Sequence, residues 1–386
     1  MEMKQLNKMA LAVGFACASM SVQAANHVAD GRGNAMGNTG VASADYLVAP
    51  FYNPALGANF REHDDFGLLI PAVGVNARDT DESLATLDDL QDAIESYEDT
   101  TIPTQGQIDE LNGYLDDLDG NAPLAVTAGA GIAVALPIKA VSTNLFTRGY
   151  VEVIATQDIA PNTGNSAIDV EARYQNSTVE MAAFGYAEVG ISFAKEFVIQ
   201  DERVSFGISP KYQELTTYSA SSTVEDFDLD DYDESEMSET AFNLDLGAVW
   251  YRDNFRVGLA IKDIFSQEVK FAEGNTGVYE LNTQATLGFA YAHEYFTLAA
   301  DADLTSQERF QNVDDDTQFL RFGIEGNAWG WAQLRAGYEI DIEDTLDNSL
   351  TAGIGISPWD VVSLDLAGSY AGDNQFGASG NLAFTF

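Results

Sequence analysis

Apolar and small or polar residues alternate with a period of two along most of the chain, most plainly at its end. In residues 374–386, Phe376, Ala378, Gly380, Leu382, Phe384 and Phe386 fall on one face, and Gly377, Ser379, Asn381, Ala383 and Thr385 on the other. Val362, Leu364, Leu366 and Tyr370 oppose Ser363, Asp365, Ala367 and Ser369, and Leu350, Ala352, Ile354 and Ile356 alternate with serine, threonine and glycine. Comparable stretches begin near Phe66, Leu124, Asn144, Glu180, Arg203, Ala241, Phe255, Tyr279, Tyr295, Gln318 and Trp331. Such alternation predicts about fourteen half-buried strands.

A soluble sandwich would alternate too, so the content of the less apolar face decides. It carries Asp245, Lys262, Asp301, Asp303, Arg321, Glu325, Arg335, Glu339 and Asp365 among many glycines. Charged and small residues facing a wet lumen, with apolar residues outward, are the pattern of a transmembrane β-barrel. In lipid each backbone N–H and C=O must be paired, and a closed sheet achieves that without helices. The links agree, since such barrels alternate short periplasmic turns with longer outer loops. Short links are expected at Arg252–Asn254, His293–Glu294, Asn327–Gly330 and Ser357–Asp360. Longer ones fall at Gln157–Val179, Ser219–Thr240, Ser266–Val278, Thr305–Asp316 and Asp341–Asp347; Gly372–Asn374 is short where an outer loop is due. Trp250, Trp329, Trp331 and Trp359 all adjoin short turns, and read as a periplasmic aromatic girdle. The expected fold is therefore an all-β, antiparallel up-and-down barrel over residues 66–386, with both termini on the periplasmic side.

Two stretches are not strand-like. Leu84, Leu87, Leu90, Ile94 and Tyr97 share one helical face, as do Ile108, Leu111, Leu115 and Leu118. They predict an acidic helical hairpin over 82–120, inserted in the first outer loop. It would cap the barrel mouth, form a greasy entrance, or dock a partner. At the other extreme, Lys4 and Lys8 precede the apolar run Met9–Met20, and small residues follow. That predicts a secretory signal peptide over 1–25 and Sec export to the outer membrane of a Gram-negative bacterium. The single cysteine, Cys17, lies within it, so the mature chain would carry neither disulfides nor thiolate metal sites.

The net charge is −43, with 61 acidic against 18 basic residues, which argues against nucleic acid as a partner. Nine acidic residues lie between Glu225 and Glu239, without the glycine turn and terminal glutamate of an EF-hand. They read as a solvated outer loop, with loose cation bridging to lipopolysaccharide as an extra. The histidines His27, His63 and His293 have no paired metal spacing and no nucleophile motif beside them, so no catalytic residue, metal or cofactor is expected.

Residues 31–55, GRGNAMGNTGVASADYLVAPFYNPA, crowd glycines before the first strand. The spacing Gly31, Gly33, Gly37, Gly40 fits neither a dinucleotide fingerprint nor a P-loop, and no lysine follows. Residues 26–65 are instead expected to form a plug, since a barrel of this size is too wide for strand side chains to fill. With the following DDFGLLIPAVGV, the stretch resembles the TraF-like conjugal-transfer outer-membrane family within the FadL-type (long-chain fatty-acid transporter) superfamily. A mature chain without cysteine is not the thioredoxin-like protein that shares the TraF name.

The resemblance implies a lumen hatch, with Gly33, Gly37, Gly40, Asn53 and Pro54 in hatch roles, and Phe386 as the terminal aromatic by which the barrel-assembly machinery recognises its clients. It implies passive uptake of hydrophobic small molecules that leave sideways through the wall, where Pro71 or Pro210 could mark an opening. The narrower family implies a non-transporting surface role with conjugation components or cell contact. Outer-membrane lipid would surround the barrel in either case.

Overall fold

A computed structural model describes residues 30–227, 235–272, 277–311, 313 and 315–386. The expected signal peptide, Cys17 and His27 lie outside these residues, as do 228–234 of the acidic run and Asp314. Sixteen strands follow in chain order: β1 (Gly67–Arg78), β2 (Leu124–Leu136), β3 (Ser142–Asp158), β4 (Thr178–Ile199), β5 (Glu202–Thr223), β6 (Glu236–Arg252), β7 (Phe255–Lys262), β8 (Gln267–Lys270), β9 (Val278–Leu281), β10 (Gln284–Ala292), β11 (Phe296–Asp303), β12 (Phe319–Ala328), β13 (Ala332–Asp341), β14 (Ser349–Ile356), β15 (Val362–Gly372) and β16 (Gln375–Thr385). Fourteen of them close into one antiparallel barrel in which each pairs with its sequence neighbour. β1 completes the ring on β16, with Val73 opposite Gly380. β8 and β9 pair only with each other as a separate two-stranded sheet. The strand anticipated at Tyr279 is thus not a barrel strand; the wall resumes at Gln284.

Alternation along each strand sets the two faces. On β12, Phe322 and Ile324 are exposed while Arg321 is buried; on β15, Leu364 and Leu366 are exposed and Asp365 is buried. Outward residues are apolar and inward ones small or charged, as a wall between lipid and a polar interior requires. Tight turns collect at one end of the barrel. Gln200 and Asp201 join β4 to β5 with φ of 53° and 67°, the left-handed pair that a two-residue hairpin needs to match strand twist.

From this common edge the wall rises unevenly. β4 and β5 each run 22 residues, whereas β7 and β11 run 8. A tilted strand crosses the hydrocarbon in roughly 9–11 residues, so β4 and β5 project well beyond the lipid at the loop end. Helices α3 (Ser83–Glu98), α4 (Gln105–Leu118) and α5 (Ala167–Asn176) attach to this projection; α1 and α2 belong to the N-terminal segment below. Leu90, Ile94, Leu111 and Leu115 cluster with Val126, Ala155, Val179 and Met181. Val179 and Met181 share a face of β4 with the exposed Val189, so the helices cover the outer surface of the wall. The helical pair is where the sequence placed it, but it clads the wall rather than capping the mouth. An outward apolar face above the lipid would otherwise meet water.

Candidate functional site in the barrel lumen

The interior is occupied by two pieces of chain. At the turn end, residues 30–59 fold as α1 (Gly31–Ala35), α2 (Ala49–Tyr52) and a 3-10 turn (Pro54–Ala58). Asp30 caps α1, accepting from the amides of Arg32 and Gly33. Within the segment Tyr52 fills the space that side chains would claim. A Cβ on Gly33 would fall 1.6 Å from the Tyr52 hydroxyl, and one on Gly40 2.0 Å from its ring. Gly37 has φ +62°, a conformation that costs glycine nothing. The inward face of the wall is cut away to match. A Cβ on Gly337 would lie 2.1 Å from the Gly37 nitrogen, one on Gly207 2.3 Å from that of Ala55, and one on Gly247 1.9 Å from Asn53 Oδ1.

Polar groups around the ring hold the segment. Asn53 is fully buried; its Nδ2 donates to Val41 O at 2.9 Å and its Oδ1 accepts from the Ala55 amide at 3.0 Å. Pro54 opens the turn that Asn53 caps, and its carbon would meet the same Gly207 Cβ. Asp301 on β11 accepts from the amides of Gly40 and Val41 at 2.7 and 2.9 Å. Thr351 on β14 accepts from Gly37 N and donates to Ala35 O, Asn381 on β16 accepts from Gly31 N, and Lys262 on β7 donates to Phe51 O. Arg32 pairs with Glu325 at 2.9 Å. Burial pushes the Asp30 carboxyl above its ordinary value, with Asp365 adding to the rise and the Gly33 amide opposing it.

The remaining lumen charges pair with one another. Arg321 bridges Asp303 and Glu339 at 2.9 and 2.8 Å, and Arg335 bridges Glu325 and Asp365 at 2.7 and 2.5 Å. Asp245 belongs to a buried group around Lys211, whose Nζ lies 3.0 Å from Asp245, 2.8 Å from Asp263 and 3.4 Å from Glu188; Arg148 closes on Glu188 at 2.9 Å. Buried ions cost several kcal/mol each unless paired, which explains why nearly every one has a partner. Lys211, Glu188, Arg148 and Asp263 escaped the sequence reading. The first three share the inward parity of their strands, so alternation carried through β3–β5 would have found them.

Above this group, the hairpin β8–β9 folds into the mouth. Thr217 on β5 donates to Lys270 O at 2.8 Å, and the Glu280 amide donates to Arg309 O at 2.7 Å. Val269, Phe271, Tyr279 and Leu281 pack with inward Tyr150, Phe184 and Tyr186 and with Phe310. Two larger cavities lie at opposite ends of the lumen. One of about 310 Å³, at the loop end, is lined by Ile154, Leu281, Val313 and Phe319 beside Arg78, Glu152 and Arg309. The other, about 370 Å³, lies at the turn end against Arg32, Tyr46, Phe60 and Arg256. No residue of 30–59 lines the first and several line the second. Two small spaces of about 30 Å³ lie where Asn34, Asn38, Val41 and Tyr52 meet Asn76, Arg78, Asp303 and Arg321 of the loop-end cavity, which puts the segment between the two.

Other anticipated positions are peripheral. Trp329, Trp331 and Trp359 are exposed at the turn end, the first two stacked at 6.0 Å, and Trp250 is half-buried near the end of β6. Phe386 is exposed, and its backbone pairs with Phe66. Pro71 sits in a register shift of β1 against both neighbours. Pro210 lies in the break between Gly190–Lys211 and Phe193–Ile208 in the β4–β5 ladder. His293 packs among Tyr291, Tyr295 and Phe296. Among the described residues no group of three or more His, Cys, Asp or Glu could hold a metal ion, and no helix is long and apolar enough to cross a membrane.

Solved transporter and channel structures share the fold. The chain resembles the toluene transporter TbuX of Ralstonia pickettii with a TM-score of 0.57 at 13% identity, covering 94% of this chain and 99% of that one. It resembles the monoaromatic hydrocarbon channel CymD with a TM-score of 0.54 at 11% identity, covering 92% and 97%. A deltaS2S3 mutant of the channel TodX gives 0.51 at 13%, again covering 92% and 97%. These neighbours are transporters and channels rather than enzymes. The chain belongs to the family described as "F plasmid transfer operon, TraF, protein", whose model matches residues 50–303. That match begins inside the glycine-rich stretch and runs on through the strands to the end of β11. No curated protein matches the chain.

Proposed function

We propose that the barrel conducts small hydrophobic molecules passively across the outer membrane, with residues 30–59 as the plug that regulates passage. The observation that carries this reading is the pair of cavities separated by a segment that is no part of the barrel ladder. Shifting the segment would join them into one path. Its hold on the wall is a set of single hydrogen bonds and ion pairs together with apolar packing of Tyr46, Leu47, Phe51 and Leu56 on inward wall residues such as Phe146 and Val249, none of which requires a strand to be unpaired. The loop-end cavity has apolar walls of Ile154, Leu281, Val313 and Phe319, suited to a compact apolar solute. The solutes named for TbuX, toluene, and for CymD, monoaromatic hydrocarbons, agree in size and character. Trp329, Trp331 and Trp359 would mark the periplasmic interface.

A second reading, a surface role in plasmid conjugation, is favoured by the description of the family itself and by the acidic helices that clad the projecting wall. One comparison separates the two. In a deletion strain, uptake of a radiolabelled hydrophobic compound and mating frequency are measured side by side. Transport predicts loss of uptake restored by the intact gene; loss of mating with uptake unchanged would overturn it.

A further inference from the structure

Tyr279 sits in an unusual setting. Its ring lies face to face on Phe184, centroids 3.6 Å apart and planes 7° from parallel, with Phe310 edge-on at 5.0 Å. Both Tyr279 and Phe184 are fully buried. At that separation the rings are almost without offset, the arrangement that aromatic quadrupoles disfavour against offset or T-shaped contacts. The Tyr279 hydroxyl is buried without a hydrogen-bond partner, although a buried hydroxyl normally has one. Glu152 and Arg309 are the charged groups that bear most on it, and both line the adjoining cavity of about 310 Å³. The ring therefore fits the slot while its hydroxyl is held away from acceptors and donors nearby. The cause is the tether: the Tyr279 backbone is fixed by pairing with Val269 and by a bridge to Phe310.

We propose that the slot between Phe184 and Phe310 is a binding site for compact phenols, and that Tyr279 is its resident occupant. A free phenol of single-ring size stacks on Phe184 as Tyr279 does. Without a tether it turns its hydroxyl to Glu152 or Arg309, and so gains the hydrogen bond that the resident ring lacks. Taking the slot displaces Tyr279 and with it the β8–β9 hairpin, which belongs to no barrel strand pair. The hairpin becomes an outer closure that opens to its ligand. The inference rests on the transport reading for its purpose, not for its chemistry.

The test uses purified full-length barrel in detergent with Cys17→Ser, Thr217→Cys and Lys270→Cys, since Cys17 is the chain's single cysteine and Thr217 touches Lys270. Reaction with a short bis-thiol crosslinker reports whether the hairpin lies against β5. Saturating p-cresol should slow crosslinking about fivefold or more, and p-cresol should bind about tenfold more tightly than toluene, which differs by the hydroxyl alone; tenfold corresponds to about 1.4 kcal/mol. In the same background Tyr279→Leu, which fills the slot without stacking, should slow crosslinking with no ligand present. A crosslinking rate indifferent to p-cresol, or equal affinity for p-cresol and toluene, overturns the site. Cellular uptake of p-cresol is scored separately. A responsive hairpin without uptake refutes transport and leaves the site standing; uptake with an unresponsive hairpin does the reverse.

Discussion

Replacing Asn53 with alanine isolates the hold of the N-terminal segment from the strength of the barrel. The side chain is fully buried and satisfies two backbone groups of its own segment, Val41 O and Ala55 N–H. It also approaches Ala248 O and Leu259 O at 3.3 and 3.4 Å, on the wall. Truncation strands an acceptor and a donor in the interior, each costing about 1–3 kcal/mol, and leaves a small void. A net loss of about 3 kcal/mol falls on docking of the segment, because no barrel strand pair involves Asn53. At 1.4 kcal/mol per decade, the undocked population rises roughly a hundredfold. Trypsin supplies the assay. Arg61 is exposed and is cut in either state, whereas Arg32 is part-buried against Glu325 and is cut only after release. Cleavage that follows the open population scales with that equilibrium. Asn53→Ala should therefore raise the rate at Arg32 by about two orders of magnitude, while the heat-modifiable gel band of the folded barrel is retained. Unchanged cutting at Arg32, or loss of the folded band together with the segment, would refute a plug that docks independently of the wall.

Other consequences can be measured alongside. Asp301→Ala removes the carboxylate that receives the Gly40 and Val41 amides and should raise Arg32 cutting in the same assay, by about 2 kcal/mol or more. Because burial raises the Asp30 pKa, the docked segment binds a proton more tightly than the released one. Docking is then strongest at low pH and weakens as pH rises from the ordinary aspartate value through the raised one. Burial raises Asp45 of the same segment too, so Asp30→Asn should make the pH profile of Arg32 cutting shallower across that window. Lys211→Met leaves Glu188, Asp245 and Asp263 facing one another and should cost the barrel about 3–5 kcal/mol, read as a lower temperature for loss of the folded band. Adding Asp263→Asn should recover part of it. If Trp329 and Trp359 lie at the membrane interface, lipids brominated near the headgroup should quench the protein's fluorescence more than lipids brominated at the chain end; the opposite order refutes the girdle.

The barrel itself was legible in the sequence because lipid on one side and a polar interior on the other impose a period of two that little else in the chain disturbs. Strand count, the short turns and the two helices follow from that period and its interruptions. What alternation cannot report is where an alternating segment goes. Val278–Leu281 alternates as well as any wall strand, with Tyr279 and Leu281 buried, yet the fourteen-strand ring closes without it. The helices pose the same problem in three dimensions. Their apolar stripes were visible, but their side of the wall depends on β4 and β5 outrunning the membrane. Strand length, unlike strand presence, was blurred by the polar residues of 219–240, whose two ends, 219–223 and 236–240, the structure assigns to β5 and β6. The lumen charges were visible singly; their partners depend on register, as with Arg321 opposite Glu339.

The two pieces of chain in the lumen differ in chemistry, and that difference sets what can move them. Residues 30–59 are held by carboxylates, amides and an arginine around the ring and also by an apolar cluster in which Tyr46, Leu47, Phe51 and Leu56 pack with Leu69, Ala133, Phe146 and Val249 of the wall, so an apolar solute competes with only part of that hold. The β8–β9 hairpin is held mainly by ring contacts, and an aromatic solute competes with those directly. A solute arriving from outside thus meets first the closure it can open by binding, and only then one that polar bonds to the wall still hold after its apolar contacts are challenged. Opening the second needs either a change in the protonation or pairing of its polar groups, or occupancy of the cavity between them by a solute that the docked segment does not tolerate. The geometry of wall glycines such as Gly207, Gly247 and Gly337, each with room for the segment and none for a Cβ, favours the latter. With so little clearance, a displacement of the segment by even one side-chain width breaks several of its hydrogen bonds at once, and release is then cooperative rather than gradual.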